Sequence, residues 1–147
     1  MFDSIQRSVQ TNAAPDQVWE ALTDYRQFGE WFQVDLKSPF VAGQPTTGTI
    51  MFRERPMDFE FHVEAIRPKT YFAYRWHPYA VDPSVDYSGE EKTLVEFNLE
   101  AADGGTRLSV TESGFDRIPE HRRGEAMKMN TQGWSIQVER IRDYVEA

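Results

Sequence analysis

The chain has 147 residues, enough for one domain with one sizeable core and not for two. Its composition of 39% hydrophobic, 27% charged and 14% aromatic residues belongs to a folded globular protein, not to a disordered or fibrous one. A net charge of −8 repels phosphate backbones and argues against a nucleic-acid partner, and the absence of cysteine excludes disulfides, thiolate nucleophiles and Cys-based zinc sites.

Residues 3–11 alternate, with Ile5 and Val9 on one side and Ser4, Gln6, Ser8 and Gln10 on the other, which predicts a half-buried strand. Pro15 and Asp16 suit a first helical turn, so 15–23 reads as a short helix carrying Val18, Trp19 and Leu22. A second short helix over 25–32 carries Phe28, Trp31 and Phe32. The texture then changes to strands, at 34–38, 49–54, 58–67 and 70–76, with 43–48 as a turn-rich connection. Phe59, Phe61, Val63 and Ala65 are expected to face inward from one strand, and Phe72, Tyr74 and Trp76 from the next. After a polar stretch at 77–91, strands 93–101 and 106–113 form a hairpin across Asp103-Gly104-Gly105. These seven strands imply an antiparallel sheet with one wet face. Finally, Met127, Thr131, Trp134, Val138, Ile141 and Val145 recur at spacings of four and three. A helix over 119–146 spans about 42 Å, long enough to cross the sheet. The fold class is therefore α+β, with the long helix on the apolar face of the sheet.

The run Ala14-Pro15-Asp16-Gln17-Val18-Trp19-Glu20-Ala21-Leu22-Thr23-Asp24, followed by Trp31-Phe32, has its counterpart at the far end of the chain. There stand Gly105-Thr106-Arg107-Leu108-Ser109-Val110-Thr111-Glu112-Ser113-Gly114-Phe115 and Gly133-Trp134. In these residues the chain resembles the START/Bet v 1-like (SRPBCC, helix-grip) superfamily, and within it the activator-of-Hsp90-ATPase homologue 1-like (Aha1 C-terminal-like) group. The resemblance covers nearly the whole chain and implies a single domain over 1–147. It implies a helix-grip fold: a curved seven-stranded antiparallel sheet, two short helices and a long C-terminal helix enclosing a cavity. Such a fold hosts binders, cyclases and co-chaperone domains alike, so it specifies architecture better than chemistry.

A sheet gripping a helix leaves a concavity, and large aromatics lining it resemble an ordinary ligand pocket. Phe52, Phe61, Tyr74, Trp76 and Phe97 are expected to look inward from strands, with Trp31 and Phe32 closing one end and Met127, Asn130 and Trp134 facing them from the helix. The alternative for the same aromatics is plain core packing. Glu112 falls by alternation on the apolar face, where an unpaired charge is costly. Arg7, on the Ile5/Val9 face of the first strand, is its expected partner, and Glu112 is a structural ion pair, a strand-end carboxylate that reaches water, or a ligand contact. His77 ends a strand at the expected rim, where it would bond a ligand or be merely exposed.

Three histidines without metal-ligand spacing argue against a metal, and Gly43, Gly48, Gly104 and Gly105 match no phosphate or dinucleotide fingerprint, so no cofactor is expected. Nor is there a Gly-x-Ser-x-Gly nucleophile motif. Arg122, Arg123 and Lys128 read as a solvated helix face, and Asn130 and Gln137 flank the apolar stripe. The segment 77–91 is either a lid over the pocket mouth or an excursion without a role. The N-terminus has no basic start and apolar run, and nothing approaches the ~18 apolar residues of a membrane span, so a cytoplasmic protein without membrane attachment is expected. The expected function is binding of a small hydrophobic or aromatic molecule. The alternatives are contact with an Hsp90-type chaperone and stimulation of its ATPase, or a cyclase- or hydrolase-type reaction in the same cavity, for which the catalytic groups are too few.

Overall fold

The computed structural model describes residues 4–147. In chain order the elements are β1 (Ser4–Thr11), α1 (Pro15–Thr23), α2 (Tyr25–Phe32), β2 (Asp35–Leu36), β3 (Pro45–Phe52), β4 (Arg55–Arg67), β5 (Tyr71–Trp76), β6 (Thr93–Ala102), β7 (Gly105–Ser113) and α3 (Glu120–Glu146). The strands form one antiparallel sheet in the order β1-β7-β6-β5-β4-β3-β2. The sheet curves around α3 in a helix-grip fold. Among the described residues, no helix is long and apolar enough to cross a membrane.

Local chemistry accounts for the boundaries. Pro15 sits in the first turn of α1 with Asp16 beside it. Asp24 ends α1 and its carboxylate accepts from the Arg26 N–H at 2.9 Å, so one residue stops one helix and caps the next. Gln33 closes α2 in the left-handed conformation. At Gly105 a Cβ would stand 1.9 Å from the Thr11 carbonyl oxygen, so only glycine lets the end of β1 approach the β6–β7 hairpin this closely.

Three sequence expectations need correction. The connection at 43–48 is largely strand: β3 begins at Pro45, tolerated as the first residue of a strand. Its hairpin to β4 turns on Arg53 and Glu54 alone, both at positive φ (50° and 65°). That is the backbone a tight hairpin wants, reached without glycine at about 1–2 kcal/mol per residue. In β4 a bulge between Val63 and Ala65 shifts the register. It sets Ile66 opposite buried Phe72 and turns Ala65, expected inward, to the other face beside Ala73.

The core lies between the sheet and the three helices. Phe28 of α2, fully buried, touches the rings of Trp31, Phe32, Phe40 and Phe61 at centroid distances of 4.7, 4.9, 5.2 and 6.2 Å. Trp31 donates its indole N–H to the Ala21 carbonyl at 2.8 Å, which ties α2 to α1. Farther along α3, Val138, Ile141 and Val145 continue the apolar stripe into the same core.

Candidate functional site: a buried carboxylate behind an aromatic cleft

Alternation along β7 turns Glu112 to the helix-covered face beside Leu108 and Val110, and its side chain is wholly buried. Neighbouring elements converge on it. Oε1 accepts from Asn130 Nδ2 at 2.9 Å and from Trp134 Nε1 at 2.8 Å, both on α3. Oε2 accepts from Trp76 Nε1 of β5 at 2.8 Å and from the Thr93 hydroxyl of β6 at 2.6 Å. The expected Arg7 pair does not form. Ile5, not Arg7, stands opposite Glu112 in the β1–β7 register. Arg7 reaches outward to donate to Ser135 Oγ at 2.9 Å and to the Gln6 carbonyl at 2.7 Å, where its charge stays near water.

Glu112 is thus a carboxyl satisfied by four neutral donors. Burial raises its pKa above the ordinary carboxylate value, and the hydrogen bonds of Thr93, Trp134, Trp76 and Asn130 pull the other way without cancelling it. The two indole N–H groups can only donate, whereas the Thr93 hydroxyl can turn to accept, so a proton on the carboxyl belongs on Oε2 facing Thr93. The tryptophans are oriented by this arrangement. Their N–H groups are used up on Glu112, and what remains for the cleft in front of them is apolar ring surface.

That cleft has a volume of about 440 Å³. Ile50, Met51, Phe52 and Phe59 of the β3–β4 hairpin form one wall, and Trp76 forms its floor with Trp134. α3 contributes Met129, Asn130, Gly133, Gln137 and Arg140, the end of α2 adds Phe32 and Gln33, and Tyr79 and Val81 border the mouth. Phe52 and Tyr79 meet edge to face at 5.7 Å across that mouth.

The structure separates the expected site residues into groups. Phe32, Phe52, Trp76, Asn130 and Trp134 line the cleft, with Glu112 directly behind them. Trp31, Phe61, Tyr74 and Phe97 are packed in the core instead: Phe28 of α2 lies over Phe61 and Tyr74, and Phe97 packs against Trp134 of α3. Burial and the neighbouring Glu112 hold the Tyr74 phenol well above its usual pKa, and its hydroxyl has no hydrogen-bond partner among the described residues. Met127 is half-buried against the core and lies off the cleft wall.

His77 also lies off the wall. Its Nε2 meets the Glu90 carbonyl at 3.1 Å, and burial lowers its pKa. Arg122, expected on a solvated face, is drawn in to clasp the 77–91 segment. It pairs with the Glu90 carboxylate at 2.7 Å, donates to the Pro78 carbonyl at 2.7 Å, and lies over the Tyr87 ring at 4.7 Å. The segment is therefore anchored to α3. Among the described residues, no group of His, Asp and Glu is arranged to hold a metal ion.

The profile of the family described as "Activator of Hsp90 ATPase homolog 1-like protein" matches residues 12–146. The chain belongs to this family. Solved structures agree with its helix-grip architecture. Protein MLL2253 from Mesorhizobium loti superposes with a TM-score of 0.75 at 21% identity, covering 97% of this chain and 96% of that one. The Aha1 dimer from Colwellia psychrerythraea gives 0.72 at 19% identity, covering 99% and 97%. At such identities the likeness is one of fold. DynU16, a putative protein of the dynemicin biosynthetic locus, gives 0.74 at 25% identity, and this chain, matched over its full length, spans 48% of it. No curated protein sequence matches the chain.

Within this activator-of-Hsp90-ATPase-like frame, several cleft residues escaped the sequence reading. Gly133, Gln137 and Arg140 follow the expected Asn130 at spacings of three, four and three, a second stripe beside the apolar one. That spacing was the available signal. Ile50, Met51 and Phe59 carried no distinctive one, since their place depends on where the hairpin ends relative to α3.

Proposed function

We propose that this START-like domain is a binding module that holds a small hydrophobic or aromatic molecule in the cleft between the β3–β4 hairpin and α3. The observation that supports it most is the pinning of Trp76 and Trp134 by one buried carboxylate. It leaves two apolar ring surfaces beside a cleft of about 440 Å³, a volume within the range of small-molecule sites. A cytoplasmic location belongs to this reading. Catalysis through Glu112 fits less well, because both of its oxygens are engaged and it lies behind the cleft wall.

A thermal-shift screen of fatty acids, sterols, flavonoids and aromatic acids tests the reading. A ligand at about 100 times its Kd adds about 2.7 kcal/mol of stability. It is expected to quench tryptophan fluorescence and to lose its effect in a Phe52→Ala variant. Stabilisation that persists unchanged in Phe52→Ala would place the ligand elsewhere.

The second reading is contact with an Hsp90-type chaperone, supported by the family to which the chain belongs. It predicts stimulation of a chaperone ATPase that is insensitive to Phe52→Ala, measured with the purified protein.

A further inference from the structure

Most of the cleft wall is aromatic or aliphatic, and its polar groups other than Gln33 and the Tyr79 hydroxyl sit together on α3. Gln137 donates its Nε2 to the Phe32 carbonyl at 3.1 Å. That bond fixes the amide, since a flipped amide would set oxygen against oxygen. The Gln137 Oε1 is thereby left buried out of reach of the cleft, with no hydrogen-bond partner among the described residues. Three residues on, Arg140 lines the same cleft. The other half-buried arginines of α3 are all engaged: Arg122 with Glu90, Arg123 with the Ile118 carbonyl, Arg142 with Glu139. Arg140, although the chain carries 24 acidic residues against 16 basic ones, has neither an ion-pair nor a side-chain hydrogen-bond partner among the described residues.

A cation lacking a counter-ion, beside the ring faces of an apolar cleft, is complementary to a single kind of molecule. We infer that the cleft takes an amphipathic aromatic anion: ring surface against Phe52, Trp76 and Trp134, and one acid group to the Arg140 guanidinium. This deepens the binding reading above and rests on it. A guanidinium is suited to a planar oxyanion because it offers paired, charge-assisted hydrogen bonds.

Two fluorescent probes separate the parts of the inference. 1-Anilinonaphthalene-8-sulfonate carries rings, an N–H and a sulfonate, whereas N-phenyl-1-naphthylamine carries the same rings and N–H without the acid. Wild-type protein is expected to bind the sulfonate about tenfold more tightly than the neutral probe, the size of one charge-assisted contact. The two should compete. Arg140→Gln is expected to remove that advantage and leave the neutral probe unchanged, whereas Phe52→Ala weakens both. Equal affinities insensitive to Arg140→Gln, or a sulfonate that fails to displace the neutral probe, overturn the anion inference while leaving the binding reading intact. If neither probe binds, both fall.

Discussion

Over the middle of the sheet, Phe61 and Tyr74 lie beneath Phe28 of α2, and none of the three is exposed at all. Two residues farther along β5, Trp76 meets Trp134 at 6.1 Å, and together they border an open cleft. Phe61, Tyr74 and Trp76 obey the same period-two pattern and carry rings of comparable size, yet the first two became core and the third a cleft wall. What differs is the layer above them. α2 ends at Phe32 and turns away through left-handed Gln33, so its cover stops there. The polar groups differ as well: among the described residues the packed cluster contains a phenol with no partner, the cleft cluster a carboxylate with four. In this fold an aromatic residue acquires its role from the reach of a neighbouring helix, not from its own strand.

The contrast can be broken most forcefully at Phe61. Phe61→Ala removes a ring from a site that cannot collapse and is expected to cost about 4 kcal/mol in urea unfolding. A loss below ~1 kcal/mol would mean that this half of the molecule is not close-packed.

Glu112→Gln sets an amide N–H₂ against the Trp76 N–H, which can only donate, and is expected to cost about 2–3 kcal/mol. The pH dependence has a definite sign. The folded pKa lies above the unfolded one, so the native state holds the proton more tightly, and this contribution is full below the ordinary value of 4.5. It fades as pH rises through the raised folded pKa. The stability difference between wild type and Glu112→Gln should therefore shrink with rising pH. A difference that grows instead would show a carboxylate ionised throughout.

Tyr74→Phe deletes the unpartnered hydroxyl and keeps the ring, so a gain of about 1 kcal/mol is expected, readable as a raised Tm. A clear loss would reveal a partner for that hydroxyl. The smallest effect on stability belongs to Phe52→Ala at the cleft mouth, under ~1 kcal/mol. Its effect on probe binding should nonetheless exceed that of Tyr74→Phe, and equal binding losses would erase the distinction between the two clusters.

The fold was legible because its signals are local. Alternation in β5, β6 and β7 and the 4–3 stripe from Trp134 to Val145 each declare an element without help from the rest of the chain. The bulge that exchanges Ala65 for Ile66 has no such mark, and a hairpin turning on Arg53 and Glu54 lacks the glycine or asparagine that announces one. In the site, alternation was enough to bury Glu112 but not to choose its partners. Arg7 has the right face and the right charge, yet register sets Ile5 opposite Glu112, and the donors came from Trp76, Thr93, Asn130 and Trp134. Indole nitrogens on an apolar stripe look like core until a carboxylate is found between them.

The four hydrogen bonds of Glu112 span sequence separations of 36, 19, 18 and 22 residues. None can form within one element, and half of them require α3 to be seated on a completed sheet. Contacts of this kind are expected late in folding, after the rate-limiting step has been passed. Loss of the carboxylate should then leave the refolding limb of a chevron almost untouched and steepen escape from the native state, so that Glu112 sets how long the molecule stays folded more than how fast it folds.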